Sequence, residues 1–305
     1  MQTFARDPIQ PAAAREPLLP ADNPLGLEGI EFIEYASRAP QALGLALERM
    51  GFRLVARHRS RQVLLYRQGG MNVIVNAHPG AMPMVNAPSG DSALVAIGLR
   101  VHDAGQAYRR AAELGAWTVP AQIEPMELYI PSIHGVGASR IYFVDRWREF
   151  SIFDVDFTAV PRVDQHPPAI GGLHWFGVVQ YIGNDRMADW TEFYTRLFGF
   201  EPLPDDERFG LLPKGRVLRS PCQGFYLQLV EPDLSELDPD GIEYLARVAF
   251  GVPDVLACVN ALRAEGMAFV ESQALQSSAR GAVTSSHGGG AIFELVHHTK
   301  AGVAA

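Results

Sequence analysis

The chain has 305 residues, 48% hydrophobic and 20% charged, with a formal net charge of -8. That length and apolar content allow two ordinary domains, each with its own core. An acidic chain without a basic stripe excludes nucleic acid and anionic membrane as expected partners, and no apolar run is long enough to span a bilayer. Cys222 and Cys258 lie far apart and form no CxxC pair, which reads as a reduced, cytoplasmic protein.

Residues 1–24 are rich in Pro and Ala and carry no period, so they read as a flexible arm. Prolines interrupt any continuous apolar segment there, so no secretory signal is expected. "GIEFIEYAS" then alternates as a strand. In the helix "APQALGLALERMGF", Leu43, Leu47 and Met50 share a face and Gly51 is the stop. "RLVARHR", "QVLLYRQ" and "MNVIVNA" are short strands separated by turn residues, completing one βαβββ unit. A second unit opens with the strand "ALVAIGLRV". Its helix, "DAGQAYRRAAELGA", starts on Asp103 as N-cap, and "RIYFVDRW" and "FSIFDVDF" are its late strands.

"AVPRVDQHPPAI", residues 159–170, has linker composition. The pattern then recurs: strand "LHWFGVVQYI", helix "RMADWTEFYTRLFGF" stopped by Gly199, strand "GFYLQLVE", strand "ARVAFGV", helix "DVLACVNALRAEGM" and strand "AIFELVHH". "VHDAGQAYRRAAELGA" and "VPDVLACVNALRAEGM" align without a gap, placing Val101 on Val252, Asp103 on Asp254 and Gly115 on Gly266, each 151 residues apart. Four βαβββ modules follow, paired into domains over 25–158 and 171–299, in an α+β fold whose curled sheets enclose cavities.

Arg247 breaks the apolar run "LARVAFGV". A charge seldom enters such a strand unless it is paired or used. Several other motifs carry little chemistry. "SSHGGGAIFE" precedes a strand, so it reads as a turn and not a phosphate cradle. "IHGVGAS" lacks a P-loop lysine, and Cys222 in "RSPCQGF" reads as a turn residue beside a pocket strand.

The segments "GIEFIEYAS", "ARHRSRQVLLYRQGGMNVIVNAHPG", "PMELYIPSIHGVGASRIYFVD" and "SIFDVDF" strongly resemble the N-terminal domain of bacterial 4-hydroxyphenylpyruvate dioxygenase, a member of the vicinal-oxygen-chelate superfamily. A weaker likeness continues through "RMADWTEFYTRLFGF", "ARVAFGVPDV" and "IFELVHH". The resemblance implies a two-domain vicinal-oxygen-chelate fold and a homo-oligomer. It also implies a C-terminal site in which two histidines and a glutamate hold ferrous iron on one face. The N-terminal domain carries no site in that family, so His58 and His78 receive no role.

Carried over position by position, the glutamate falls on Glu294. The histidine that opens the strand before the last helix falls on Arg247, and the first histidine falls on Gly177. Arginine has no acceptor atom and glycine no side chain, so the resemblance breaks at two of three ligands. Among substitutes, His174 lies three residues before Gly177 and points to the opposite face of a regular strand unless a bulge intervenes. Gln180 has the same wrong parity. His298 has the right parity, but about 13 Å separates it from Glu294 along the strand, and His297 faces away. His287 sits on a flexible approach and is the least implausible recruit. Gln228 and Val230 fall where the family strand lines its pocket. The family's closing C-terminal helix has no counterpart in the 11 residues after Glu294.

A structural Arg247–Glu294 ion pair and an oxyanion-binding centre both fit these residues. Three functions stay open. One is a metal-independent enzyme that needs no cofactor and binds a small aromatic or 2-oxo carboxylate, with Arg247 as anchor, Glu294 as general base, and Gln228, Val230 and Gly177 along the pocket. The second is an Fe(II)-dependent 2-oxo acid dioxygenase with relocated ligands drawn from Glu294, His174 and His287. The third is a non-catalytic binding protein.

Overall fold

The computed structural model of the chain describes residues 19–82, 90–120, 127–148, 150–204, 207, 209–211, 215–231, 243–272 and 275–299. Most of the arm expected over 1–24 therefore lies outside the described residues. Of its remainder, Asn23 caps a turn by accepting from the Leu27 N–H at 2.7 Å and donating to the Leu27 carbonyl at 3.0 Å.

The first half contains β1 (Gly29–Ser37), α1 (Pro40–Arg49), β2 (Arg53–His58), β3 (Val63–Gln68), β4 (Met71–Asn76), β5 (Ser92–Arg100), α2 (Ala104–Glu113), β6 (Ser132–His134), β7 (Arg140–Val144), α3 (Phe153–Asp156) and β8 (Phe157–Ala159). The second contains β9 (His174–Tyr181), α4 (Met187–Phe198), β10 (Glu201–Pro202), β11 (Arg216–Arg219), β12 (Tyr226–Val230), β13 (Tyr244–Val252), α5 (Val255–Ala264), β14 (Gly281–Val283) and β15 (Phe293–His297).

The internal repeat is visible in the helix starts. The Asp103 carboxylate accepts from the Gln106 N–H at 2.6 Å, and Asp254 accepts from Ala257 at 2.9 Å. Each satisfies a backbone donor that the helix itself cannot. α4 ends on Gly199, whose φ of +78° is left-handed and whose missing side chain would meet the Asp22 carbonyl at 2.5 Å.

One expectation fails in the first half: "FSIFDVDF" is not a continuous strand. The Asp154 carboxylate accepts from the Ser151 N–H at 2.9 Å, and the Ser151 hydroxyl accepts from the Phe153 N–H at 3.2 Å. These two bonds turn the chain into the short helix α3 and leave only β8 to pair with β2. The Ser-x-x-Asp spacing carried that signal. The brief strands β6, β10, β11 and β14 have too little apolar alternation to read from sequence.

The strands run in the order β10-β11-β12-β9-β13-β5-β1-β4-β3-β2-β8, with β15 and β14 branching from β13, and β7 and β6 from β5. The halves meet where Leu245 of β13 pairs with Leu94 of β5. The join is also packed and hydrogen-bonded. Phe52 lies 5.9 Å from Phe250, ring to ring, and Phe143 lies 6.1 Å from Phe198. Ser92 donates from its hydroxyl to the Gly288 carbonyl at 2.6 Å and from its N–H to Gly289 at 2.9 Å. Among the described residues no helix is long and apolar enough to cross a membrane.

Candidate functional site

Register places the site. Tyr226, Gly177, Ala249 and Glu294 are direct partners across β12, β9, β13 and β15. Cross-strand partners face the same side of a sheet. The next row holds Gln228, Val179 and Arg247. Two irregularities set who faces inward. Between β13 and β9 the pairing moves from Leu245–Gln180 to Arg247–Val179, so Ala246 is an extra residue. That bulge lets Leu245 enter the core while Arg247, two residues on, faces the site.

There the Arg247 Nε donates to Glu294 Oε2 at 2.7 Å, with the two side chains only 6% and 4% exposed. The sequence expectation that these residues face each other is met in the geometry. Arg247 Nη2 is buried and has no hydrogen-bond partner among the described residues. An unmet donor on a buried cation is costly. Arg247 itself does not line the small cavity beside Glu294, so a ligand reaches Nη2 only once the surrounding side chains move.

The second irregularity corrects the reading of His174. Gly177 opposes Ala249, but Trp175 opposes Phe250, so Phe176 is the extra residue. The bulge reverses parity and brings His174, opposite Gly251, onto the same face as Gly177 and Glu294. Its Nε2 lies 2.8 Å from His298 Nδ1, and its Nδ1 lies 2.9 Å from the Gly172 carbonyl. Gly251 makes room for the ring, since a Cβ there would sit 2.4 Å from His174 Nε2. Burial, and then the neighbouring His174, hold the His298 imidazole below its ordinary pKa.

The other candidates separate. His287 Nε2 lies 3.1 Å from the Ala268 carbonyl, so the ring is tied to the segment that follows α5. Val230 is one row beyond Gln228, beside Tyr181, and does not line the cavity at Glu294. Gln228 does line it. Gln180 points the other way and accepts from the buried Tyr194 hydroxyl at 2.7 Å. Among the described residues no three His, Cys, Asp or Glu side chains converge closely enough to share a metal ion.

Sequence reasoning missed what covers the carboxylate. Phe176 packs on Tyr226 at 4.8 Å and on Phe209 at 5.1 Å, ring to ring. Beside them Gly210, at φ +66°, lies so close that a Cβ would meet Glu294 Oε1 at 2.2 Å. The remaining cavity has about 20 Å³ of room, enough for one water molecule. Gly210→Ala is therefore expected to cost about 1–3 kcal/mol for the left-handed backbone alone, and to push the segment off the carboxylate. Urea denaturation gives the first effect. A gain in accessibility of the cavity to small ligands gives the second.

Residues 21–158 match the family described as hydroxyphenylpyruvate dioxygenase, N-terminal, and residues 172–277 match the glyoxalase/bleomycin resistance protein/dioxygenase superfamily. A 4-hydroxyphenylpyruvate dioxygenase from Pseudomonas sp. strain P.J. 874 is 36% identical over 262 residues, which is 82% of this chain and 72% of the relative. A 3-dehydroshikimate dehydratase from Pseudomonas aeruginosa is 31% identical over 80% of this chain, which spans only 40% of that protein. Among solved structures, a xylose isomerase-like TIM barrel/4-hydroxyphenylpyruvate dioxygenase fusion protein superposes with a TM-score of 0.71 at 24% identity, over 98% of this chain and 53% of the other. Sequence and fold agree: the chain belongs to the 4-hydroxyphenylpyruvate dioxygenase family, in the glyoxalase/bleomycin resistance protein/dioxygenase superfamily.

Proposed function

We propose that the chain binds a small aromatic or 2-oxo carboxylate in its C-terminal half and acts on it without iron, by isomerase, lyase or condensation chemistry. The observation that carries this reading is the buried Arg247–Glu294 pair with Arg247 Nη2 left unmatched.

The residues present do not fit the ferrous site that the family implies. Arg247 offers only donors. Glu294 is engaged by Arg247. Gly177 has no space for a ligand side chain, because a Cβ there would lie 2.1 Å from the Tyr226 carbonyl oxygen. β9 and β12 are too close at that point for a histidine to be restored without moving a strand.

The same groups suit proton abstraction next to a carbonyl. Arg247 would hold the substrate oxygen through Nη2 and Nε. Glu294, released from Arg247, would take the proton from the adjacent carbon, becoming a carboxylic acid. The C–H electron pair would pass to the carbonyl oxygen, and the guanidinium would stabilise that enolate. The Phe176, Phe209 and Tyr226 rings must separate to admit the substrate.

The test is calorimetric titration with phenylpyruvate, together with deuterium exchange at its C3 position, both in excess chelator. Wild-type protein is expected to bind and exchange. Arg247→Ala is expected to bind about 10–100-fold more weakly, the worth of one or two charge-assisted hydrogen bonds. Glu294→Gln is expected to bind but not exchange. Binding without exchange by the wild type would assign a binding protein. Oxygen uptake on 4-hydroxyphenylpyruvate that needs added Fe(II) would overturn the proposal.

A further inference from the structure

The N-terminal half holds a cavity of about 210 Å³, roughly ten times the room at Glu294. Its position is not arbitrary. Gly98 and Ala249 are equivalent by the 151-residue repeat. Gly98 pairs with Phe32 and with Tyr142, as Ala249 pairs with Gly177 and with Glu294. Glu34 pairs with Ala96, as Val179 pairs with Arg247. Phe32, Glu34 and Tyr142 thus stand where Gly177, Val179 and Glu294 stand in the other half, and all three line the larger cavity. The internal duplication has left a second chamber at the same point of the fold, with different chemistry in it.

That chemistry is specific. Phe32 lies 5.5 Å from Tyr142 and 6.4 Å from Phe153, ring to ring, and Phe153 lies 5.6 Å from Phe157. These tilted and edge-on rings wall one side, suited to stacking an aromatic guest. On the strand floor, Glu34 Oε1 accepts from Asn76 Nδ2 at 2.9 Å. The carboxyl lines the cavity. Arg140 stands nearby and donates to the Tyr142 hydroxyl at 3.3 Å. Burial raises the Glu34 carboxyl above its ordinary range, against the pull of Asn76 and Arg140. Burial, with Glu34 next, raises Tyr142 to about 12, so it stays a neutral hydroxyl. Arg61 at the wall is matched by Glu127, whose Oε1 accepts from its Nε at 2.7 Å. The chamber therefore offers aromatic walls, a carboxyl acceptor and a phenol hydroxyl. An apolar cavity of about 150 Å³ already takes benzene, so the volume fits one substituted ring.

We infer that the N-terminal half binds a small hydroxylated aromatic compound, its ring against Phe32, Phe153 and Phe157 and its hydroxyl on Glu34 and Tyr142. The site is independent of the one around Arg247.

The test is calorimetric titration of the full chain with catechol, with toluene as the hydroxyl-free control. Catechol is expected to bind with a Kd below about 1 mM and toluene at least about tenfold more weakly, the worth of one hydrogen bond to a buried partner. Glu34→Leu is expected to weaken catechol about tenfold or more. Ile74→Phe, which fills the chamber from β4 beside Glu34 while keeping the carboxyl, is expected to abolish binding and guards against misfolding of the first variant. Saturating phenylpyruvate, which is directed at the other half, is expected to leave catechol binding unchanged. No binding by the wild type, equal binding of toluene, or displacement of catechol by phenylpyruvate with retention of binding in Ile74→Phe would each overturn the inference.

Discussion

Replacing Arg247 by alanine is expected to destabilise the protein by about 3–5 kcal/mol, while replacing Arg247 and Glu294 together by Met and Leu is expected to change stability by about 1 kcal/mol or to raise it. The asymmetry follows from burial. Each ion has given up its water to reach a site where the side chains are 6% and 4% exposed. The 2.7 Å contact repays that loss only while both partners are present. Removing the guanidinium strands a carboxylate among Phe176, Val179 and Ala249. Removing both ions removes both desolvation penalties, and the unmatched Arg247 Nη2 goes with them. Against a typical total of about 5–15 kcal/mol, the single variant loses a large share of its stability. Urea denaturation of the four members of the cycle measures it, at constant slope. Single variants that differ from wild type by less than about 1 kcal/mol would show that water reaches the pair. If the double variant is stable but binds no carboxylate, the pair is kept for function and not for folding.

Phe250→Ala is the second large effect, at about 3–5 kcal/mol. Phe250 is 1% exposed and touches aromatic rings from both halves. It stacks on Trp175 at 5.4 Å and 18°, and meets Phe293 and Phe52 at 5.9 Å each. Phe52 follows α1, so the cavity left by the truncation opens on the seam between halves. Loss of fluorescence and loss of helix should therefore still coincide in one denaturation, shifted to lower urea. Two separated transitions in the variant would show that this ring is what makes the halves melt together.

Much of the architecture was legible because it rests on local chemistry. Asp103 and Asp254 announce their helices, Gly199 ends another, alternation finds β1, flanking turn residues bound β3, and an apolar run finds β13. The pairing of Arg247 with Glu294 was legible through the resemblance, since both positions belong to one family face. Parity counting failed at His174 because it assumes a regular strand. The extra residue at Phe176 has no sequence mark of its own, being apolar among apolar neighbours. Gly177 read as a lost ligand, and the approach of the Tyr226 carbonyl, which leaves no room for a side chain there, had no mark in the sequence. Gly210 sits far from Glu294 in the chain, and only tertiary folding lays it on the carboxylate. The N-terminal chamber was hidden by the resemblance itself, which assigns that half no site. Glu34 inside "GIEFIEYAS" was the available signal, a charge in an apolar strand just like Arg247.

The seam between the halves has a practical corollary for protein engineering. Its adhesive surface is shared: Leu94 meets Leu245, Phe52 meets Phe250, and Ser92 hands two hydrogen bonds to Gly288 and Gly289. Severing the chain between residues 159 and 170 would leave that surface intact, so the two fragments should stay together as a noncovalent pair. Exporting either one alone to a chimera would strip it of a wall, and the recipient would have to supply a new one.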